Sequence, residues 1–242
     1  MATGKFKAYT CFSTAIWFLV LLLLILFAKM AAFEFYRVTS ASMENTLLVN
    51  DFILIDKLTF GARTPNRVRL PLINKDLVLP SFKLPKLREI QPGDVVVFYK
   101  NIELSGHMMV KRCVAVSGQT VEIRNKKLYI DQKAADTLSV DGFDENLIVN
   151  LDSTFFPPDY IDPQTNPFGG NNRDNFGPLV VPDNSIFVLG DNRDFSLDSR
   201  YFGTVSVENV IGRAVLIYYS AAEDFTSGEN QINWSRLGRF VK

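Results

Sequence analysis

The stretch that decides the fold is Met108–Val116, which reads MMVKRCVAV. Its apolar and β-branched residues, with a Ser-Gly turn signal just before it, are typical of a β-strand. Similar short apolar runs recur along the chain and show no helical period. The other predicted strands are Asp51–Leu58, Val95–Tyr99, Thr120–Arg124, Lys127–Asp131, Ser185–Leu189 and Val210–Tyr219, with a hairpin turn at Asn125 and Lys126. The chain beyond its N-terminal region is therefore predicted to be mainly β.

Three segments depart from this strand pattern. Residues 61–92 are rich in proline and leucine and are predicted to form a long excursion between two strands. Residues 134–182 hold six of the eleven prolines, which predicts an inserted lobe or long loops. A disordered excursion is the alternative for that range. Residues 233–242 carry three basic side chains and are predicted to be a solvated or lipid-facing end.

The N-terminal region is predicted to be a membrane anchor. No residue from Ala8 to Ala28 is charged, and a helix of that length, at ~1.5 Å per residue, covers the roughly 30 Å of a bilayer's hydrocarbon core. The predicted layout is a short cytoplasmic N-terminus at 1–7, a single transmembrane signal-anchor helix at 8–33, a β domain formed by 34–133 and 183–242, and the inserted lobe at 134–182. A cleaved secretory signal is the alternative, because lysines precede the run and alanines follow it.

Charge and cysteine content exclude several classes of protein. The chain has 26 basic and 26 acidic residues, so it lacks the excess of positive charge that nucleic-acid binding requires. Its two cysteines, Cys11 and Cys113, are too few and too far apart for a disulfide framework. A single histidine and separated cysteines also argue against a metal site. We therefore predict no nucleic-acid partner, no metal and no cofactor.

The chemistry is expected around Ser42, in the stretch Val38–Leu47, VTSASMENTL, just past the predicted anchor. Serine is a weak nucleophile at neutral pH and needs a partner base. The chain offers two candidates, Lys111 and His107. His107 is the only histidine and would have to serve any Ser-His-Asp triad. It lies in a predicted turn, where an exposed histidine without a catalytic role is the ordinary outcome.

Strand alternation favours Lys111 as the base. Lys111 is predicted to project on the same face as Met109, Cys113 and Ala115, and opposite to Val110. Apolar neighbours disfavour the charged amine, and this is how a lysine becomes neutral enough to accept a proton. The alternative is a lysine that reaches solvent at a sheet edge.

A third polar segment, Gly190–Arg200, reads GDNRDFSLDSR. Its glycine, aspartates and asparagine are turn formers, and pairs such as Asp198 with Arg200 or Asp191 with Arg112 could simply brace a loop. Three polar segments, each attached to a predicted strand, are nevertheless what a Ser-Lys hydrolase requires. They supply a nucleophile, a base and a loop that orients the base.

These motifs resemble those of type I signal peptidase, a membrane-anchored Ser-Lys protease, over nearly the whole chain. The matching motifs, in the family's order, are Ser42-Met43 with Thr46-Leu47-Leu48 and Asp51–Leu54, then Gly93–Phe98, then Lys111-Arg112, then Gly190–Asp194 with Ser196, Asp198-Ser199-Arg200 and Gly203, then Gly212-Arg213-Ala214. The sequence departs from the family at Asn45, where proline is usual, and at Phe195, where asparagine is common. Asn45 is expected to loosen the turn after the nucleophile, and Phe195 could alter how the lysine is held.

The resemblance implies a role for each matching residue. Ser42 would be the nucleophile, Lys111 its general base, and the Ser40 hydroxyl would form an oxyanion hole with the Ser42 backbone N–H. Ser196 would hydrogen-bond Lys111 and orient it. The residues that would brace the site are Arg112, Gly190, Asp191, Asp198 and Arg200. The candidates for the substrate pocket are Tyr36, Val38 and Val110, since Tyr36, Val38, Ser40 and Ser42 share one face if that segment is extended.

The resemblance further implies a membrane-bound serine endopeptidase that cleaves signal peptides from secreted preproteins after small residues, by an acyl-enzyme mechanism. Its partners would be signal peptides and the lipid bilayer, close to the secretion machinery. Its location would be the cell membrane, with the N-terminus cytoplasmic and the catalytic domain on the other side. The alternative from another class is a catalytically silent, membrane-tethered β domain that binds signal peptides or a partner protein. A self-cleaving repressor-type protease is excluded by the N-terminal apolar run.

Overall fold

The structure is a computed structural model that describes residues 16–18, 20–22, 29, 32–61, 67–70, 75–78, 85–99, 108–135, 173–223 and 230–242. Most of the predicted anchor at 8–33 and most of the predicted insert at 134–182 lie outside these residues, as does His107. Among the residues that are described, no helix is long and apolar enough to cross a membrane.

Fourteen strands are described, in three antiparallel sheets. They are β1 (Phe33–Arg37), β2 (Asp51–Asp56), β3 (Arg67–Leu70), β4 (Lys75–Val78), β5 (Val95–Tyr99), β6 (Met108–Val116), β7 (Thr120–Arg124), β8 (Lys127–Ile130), β9 (Lys133–Ala134), β10 (Phe176–Val180), β11 (Ser185–Leu189), β12 (Val205–Ser206), β13 (Val210–Glu223) and β14 (Asn230–Ile232). The helix α1 (Ser199–Phe202) follows β11. The prediction of a mainly β domain is confirmed.

The largest sheet has the order β1-β2-β13-β5-β6-β11-β12, with β14 added to β13. A four-stranded sheet has the order β10-β7-β8-β9, and β3 pairs with β4 in a separate hairpin. Strand β6 pairs with β5 on one side and with β11 on the other. The segment that carries Lys111 is therefore held between two neighbours rather than at the edge of the sheet.

Three apolar clusters form the core and follow the faces of β6. Val110 packs with Val38 and Ile53 in one cluster, whereas Cys113 packs with Phe98 in another. The predicted alternation is confirmed up to this point. Ala115, however, lies with Val114 in the third cluster, under the small sheet.

A β-bulge explains that difference. In the β6–β11 pair, Phe187 lies opposite Ala115 while the next residue, Val188, lies opposite Cys113, so Val114 is an extra residue. Such an insertion turns the following side chains onto the other face. The predicted common face of Cys113 and Ala115 is therefore wrong.

The ends of the predicted strands shift for identifiable reasons. Strand β2 ends at Asp56 rather than at Leu58, because the Asp56 carboxylate accepts hydrogen bonds from the Leu58 N–H at 2.8 Å and from the Thr59 hydroxyl at 2.5 Å and closes a turn. Strand β10 lies inside the range 134–182 and pairs with β7, so this end of the range belongs to the β domain. The predicted excursion at 61–92 contains the β3–β4 hairpin.

The prediction of a solvated or lipid-facing end at residues 233–242 is wrong for part of that segment. Arg236 is buried and donates to both carboxylate oxygens of Asp51, which is fully buried. Val241 packs into the first core cluster. The carbonyl oxygen of Lys242 accepts a hydrogen bond from Arg112 at 3.0 Å. The buried Asp51 carboxylate therefore holds residues 233–242 against the domain through Arg236. The sequence around Arg236 does not indicate that Asp51 is its partner.

Candidate active site

Ser42 lies on a single turn that follows β1. The Val38 N–H still donates to the Asp51 carbonyl at 2.8 Å, and Ser40 remains extended, with φ −136° and ψ 153°. Residues Ala41–Met43 then form a turn of 3-10 helix. Ser42 is therefore part of a turn, and the predicted single extended face from residue 36 to residue 42 is wrong. The turn buries Ser42, which is 6% exposed.

The Lys111 amine and the Ser42 hydroxyl are in direct contact. Lys111 Nζ lies 2.6 Å from Ser42 Oγ and also donates to the Val110 carbonyl oxygen at 3.0 Å. Lys111 is only 3% exposed. Burial lowers the pKa of this amine from 10.5 to about 8, although the charges of Asp198 and Asp191 act in the opposite direction. With this lowered pKa, about a tenth of Lys111 is neutral at pH 7, far more than for an ordinary lysine, and the neutral amine can accept a proton from Ser42.

A second hydroxyl adjoins the Ser42 side chain. Ser40 Oγ lies 3.2 Å from Ser42 Oγ. An oxyanion-hole donor must lie close to the attacking oxygen, because the carbonyl oxygen of a bound peptide comes close to the nucleophile. The placement of Ser40 fits the predicted role.

Ser196 is buried in the loop 190–198 and does not make the expected hydrogen bond to Lys111. Lys111 Nζ donates to Ser42 and Val110 instead, and the Ser196 hydroxyl contributes to lowering the pKa of the neighbouring Asp198. Gly190 leaves the room for Ser196, since a Cβ at residue 190 would overlap Ser196 Oγ. The orienting role of Ser196 stays a prediction.

Two buried ion pairs brace the loop that contains Gly190. Asp198 accepts from Arg200 Nε at 2.9 Å and from the Gly190 N–H at 3.0 Å, and it caps the N-terminus of α1. Burial acts to raise the pKa of Asp198, but the adjacent Arg200 outweighs it and the pKa is lowered. Arg112 binds Asp191 with two hydrogen bonds, of 2.8 and 2.7 Å. Both of the pairs considered from the sequence are present.

The three predicted pocket residues lie together. Val38 and Val110 belong to one buried cluster, and Tyr36 packs against it. The Tyr36 hydroxyl donates to the Met108 carbonyl oxygen at 3.0 Å, which ties β1 to the first residue of β6. Because Val110 adjoins Lys111 in β6, this cluster lies next to the Ser42–Lys111 contact.

Some residues that support the site were not singled out from the sequence. Arg236 binds Asp51 and donates to the Thr46 carbonyl oxygen at 2.9 Å. Asn192 donates from its backbone N–H to the Ser42 carbonyl oxygen at 3.1 Å and from its side chain to Glu44 at 3.1 Å. Thr46 and Asp51 stood in the quoted motif, but nothing local marked them as partners of a distant arginine.

Asn45 has a backbone conformation that explains the departure from the family pattern. Its φ is 87°, in the left-handed region, which asparagine tolerates and which proline, with φ near −65°, cannot adopt. The turn as it stands is thus compatible with asparagine and not with proline, and the expectation that Asn45 loosens it stays a prediction.

Restoring the family's usual residue at this position is expected to be harmful. Asn45→Pro should lower the free energy of unfolding by about 1–3 kcal/mol and reduce cleavage, because the loop must rearrange next to Ser42. Asn45→Gly, which accepts a positive φ, is the matched control and should behave like the wild type. Thermal unfolding and cleavage rates of both variants test this. A fully active, equally stable Asn45→Pro variant would contradict the description of the turn.

A serine hydroxyl in contact with a buried lysine amine, on a β domain, is the arrangement of a Ser-Lys hydrolase. Among the described residues, no three of the types His, Cys, Asp and Glu lie together as a candidate metal site.

Comparison with known proteins narrows the class. Residues 11–219 match the family model "Signal peptidase, peptidase S26". Signal peptidase I of Aquifex aeolicus (strain VF5) is 31% identical over 233 residues, which are 83% of this chain and 81% of that protein. Signal peptidase I of Rickettsia typhi (strain ATCC VR-144 / Wilmington) is 32% identical over 197 residues, which are 77% of this chain and 72% of that protein.

A solved structure, that of a signal peptidase I from Enterococcus faecalis V583, is 29% identical and covers 53% of this chain and 98% of its own, with a TM-score of 0.36. The family match spans most of the chain. The chain therefore belongs to the signal peptidase family, peptidase S26, and it is a serine endopeptidase that cleaves signal peptides.

Proposed function

We propose that this enzyme is a membrane-bound signal peptidase that uses Ser42 as nucleophile and Lys111 as general base, and that it cuts preproteins after small residues. The observation that carries the proposal is the 2.6 Å contact between Lys111 Nζ and Ser42 Oγ, made by a buried lysine. A silent binding domain would have no need for a desolvated amine against a serine hydroxyl, because burying an amine costs free energy.

The proposed reaction is acyl transfer. Neutral Lys111 takes the proton of the Ser42 hydroxyl while Ser42 Oγ attacks the scissile carbonyl carbon. The Ser40 hydroxyl and the Ser42 N–H stabilise the oxyanion, and one such donor is typically worth roughly 2.7–4 kcal/mol of barrier. The protonated Lys111 then gives its proton to the leaving amine, which releases the mature protein. Water, activated by the same lysine, hydrolyses the ester of Ser42 and frees the signal peptide.

The ion pairs around the dyad have a supporting role in this proposal. Asp198 with Arg200 and Asp191 with Arg112 fix the segment that begins at Gly190. They also place two negative charges near Lys111, which favour the protonated amine that forms when Ser42 attacks. Burial therefore makes Lys111 a base in the resting enzyme, and the carboxylates stabilise it once it carries the proton.

The proposed specificity for small residues comes from an apolar cluster beside the dyad. Tyr36, Val38 and Val110 pack together next to the dyad, and a tightly packed apolar site excludes large side chains more strongly than it binds small ones. This fits cleavage after Ala-x-Ala sequences.

The proposed location is the cell membrane. The uncharged run from residue 8 to residue 28 supports a single signal-anchor helix. Residues 16–18 and 20–22 are helical, and Trp17 and Phe18 are 70% and 72% exposed, as suits side chains that face lipid. The predicted anchor bound of residue 33 is wrong by one residue, because Phe33 begins β1. We propose residues 1–7 in the cytoplasm, the anchor at 8–32, and the β domain across the membrane, near the secretion machinery.

The pH dependence of signal-peptide cleavage tests this proposal. The neutral form of Lys111 is the active one, so kcat/KM should rise with pH, reach half of its maximum near the pKa of about 8, and level off above it. Below that pKa it should fall about tenfold per pH unit. Circular dichroism at each pH serves as the control for folding. A half-maximum near 10.5, the ordinary lysine value, or a flat profile would contradict the assignment of a buried lysine base.

A further inference from the structure

We infer that Thr46 is a positioning residue whose hydroxyl holds together the three segments that form the site. It has no assigned role in the chemistry proposed above, and the inference rests on the proposed roles of Ser42 and Lys111. The three segments are the loop with Ser42, strand β6 with Lys111, and the loop 190–198.

The Thr46 hydroxyl is bound from two of these segments at once. It donates to Asp191 Oδ2 at 2.6 Å, and it accepts from Arg112 Nη2 at 3.1 Å. A threonine hydroxyl can donate one hydrogen bond and accept others. Here it donates to the loop 190–198 and accepts from β6, so both of its hydrogen-bonding roles are used. The hydroxyl thus lies where the nucleophile loop, β6 and the loop 190–198 meet.

Thr46 is coupled to Ser42 through a tight turn. The N–H groups of Thr46 and Leu47 donate to the Met43 carbonyl oxygen at 3.0 and 2.7 Å, and Met43 follows Ser42 directly. The Thr46 carbonyl oxygen is held by Arg236 at 2.9 Å. A displacement of Thr46 is therefore transmitted to Ser42 over a short, hydrogen-bonded path.

Thr46 is coupled to Lys111 through the neighbouring residue in β6. Arg112 follows Lys111, so the contact from Arg112 to Thr46 and the contact from Lys111 to Ser42 are two links between the same pair of segments. The Asn192 N–H bond to the Ser42 carbonyl oxygen is a corresponding second link from the loop 190–198. The Thr46 hydroxyl therefore adds one further link from the nucleophile loop to β6 and one to the loop 190–198, beside the contacts at Ser42 and the Asn192–Glu44 hydrogen bond.

The electrostatics of the Arg112–Asp191 pair add to this argument. Both side chains are buried, and a buried ion pair is stable only when its remaining donors and acceptors are also hydrogen-bonded. The Thr46 hydroxyl meets one demand of each partner. Its loss would leave a buried carboxylate oxygen and a guanidinium N–H short of a partner, and the pair would shift to find others.

The test compares Thr46→Val, which removes the hydroxyl at nearly constant volume, with Thr46→Ser, which keeps it. Thr59→Val is the matched control, because the Thr59 hydroxyl also donates to an aspartate, Asp56, at 2.5 Å. Asp56 is the last residue of β2 and belongs to none of the three segments that form the site. Cleavage of a signal-peptide-bearing preprotein by the full chain in detergent gives kcat and KM. Measurements are made at a temperature where circular dichroism shows every variant folded.

We expect Thr46→Val to lower kcat by about 10- to 100-fold, the usual effect of a small displacement of reacting groups, with KM changed less than about threefold. Thr46→Ser should keep kcat within about threefold of the wild type, and Thr59→Val should leave it unchanged. A merely stabilising role of Thr46 would predict equal behaviour of the two valine variants once both are folded.

The inference is overturned if folded Thr46→Val cleaves at the wild-type rate, if Thr46→Ser loses as much kcat as Thr46→Val, or if Thr59→Val is equally impaired. Failure of the proposed site would look different. In that case Ser42→Ala, measured in parallel, would retain activity. A silent Ser42→Ala together with a fully active Thr46→Val would leave the dyad intact and remove only the role of Thr46.

Discussion

Replacing Lys111 with methionine is expected to reduce signal-peptide cleavage by about 10²- to 10⁴-fold, the typical contribution of a positioned general acid and base. Methionine has a similar length and no proton to exchange, so Ser42 loses its partner at 2.6 Å. Folding should not suffer, because a buried amine with a pKa lowered to about 8 already costs free energy. The unfolding midpoint should therefore equal or exceed that of the wild type.

The matched control is His107→Ala, which removes the other candidate base that the sequence offers. We expect it to cleave at close to the wild-type rate, because the Ser42 hydroxyl already has a basic partner in Lys111. Cleavage of one preprotein by the wild type and both variants, at equal concentrations of folded enzyme, provides the measurement. An active Lys111→Met together with a silent His107→Ala would replace the dyad by a histidine-dependent mechanism.

Gly190→Ala is expected to have the second largest effect. A Cβ at residue 190 would overlap Ser196 Oγ and would come within 2.5 Å of both Ser196 Cβ and the Ser42 carbonyl oxygen. The Ser42 carbonyl oxygen belongs to the backbone and cannot rotate away as the end of a flexible side chain can. The turn with Ser42 or the loop 190–198 must therefore move. We expect cleavage to fall by about 10²-fold and the free energy of unfolding to fall by about 1–3 kcal/mol, as for overpacked sites.

Gly118→Ala is the control for Gly190→Ala, because it introduces backbone strain without displacing any residue of the active site. Gly118 has φ 82°, but a Cβ there meets nothing within 4 Å. Alanine at residue 118 should therefore cost roughly 1–2 kcal/mol of stability from the left-handed backbone and leave cleavage per folded enzyme unchanged. Steady-state cleavage and thermal unfolding of the two alanine variants make the comparison. Equal cleavage by folded Gly190→Ala and wild type would show that Gly190 does not set the position of Ser42.

The strands could be predicted because their signals are local. An apolar run such as Val95–Tyr99 or Ser185–Leu189, bounded by turn residues, reports its own conformation, and both have the predicted bounds. The bulge at Val114 could not be predicted, because it depends on the register with β11 and not on β6 alone. Strand β1 was missed because Phe33–Arg37 was considered only as the end of an anchor and an extended approach to Ser42.

The site residues also fall into those that the local sequence predicts and those that only tertiary contacts bring together. Ser42 and Lys111 could be singled out because each requires a chemical partner, and strand alternation placed the lysine among apolar residues. The pairing of Arg236 with Asp51 joins residues 185 positions apart, and only the packed domain brings them together. The positive φ of Asn45 likewise belongs to a turn whose geometry depends on contacts with the loop 190–198.

Processing of a preprotein with an Ala-x-Ala signal peptide by wild type and by Ser42→Ala, followed by N-terminal sequencing of the product, tests the central claim most directly. We predict that the wild type releases a mature protein cut immediately after that site. Folded Ser42→Ala should release none, because the atom that forms the ester is absent. Cleavage by folded Ser42→Ala at the wild-type rate would contradict the account, as would a folded wild type that leaves several such preproteins intact.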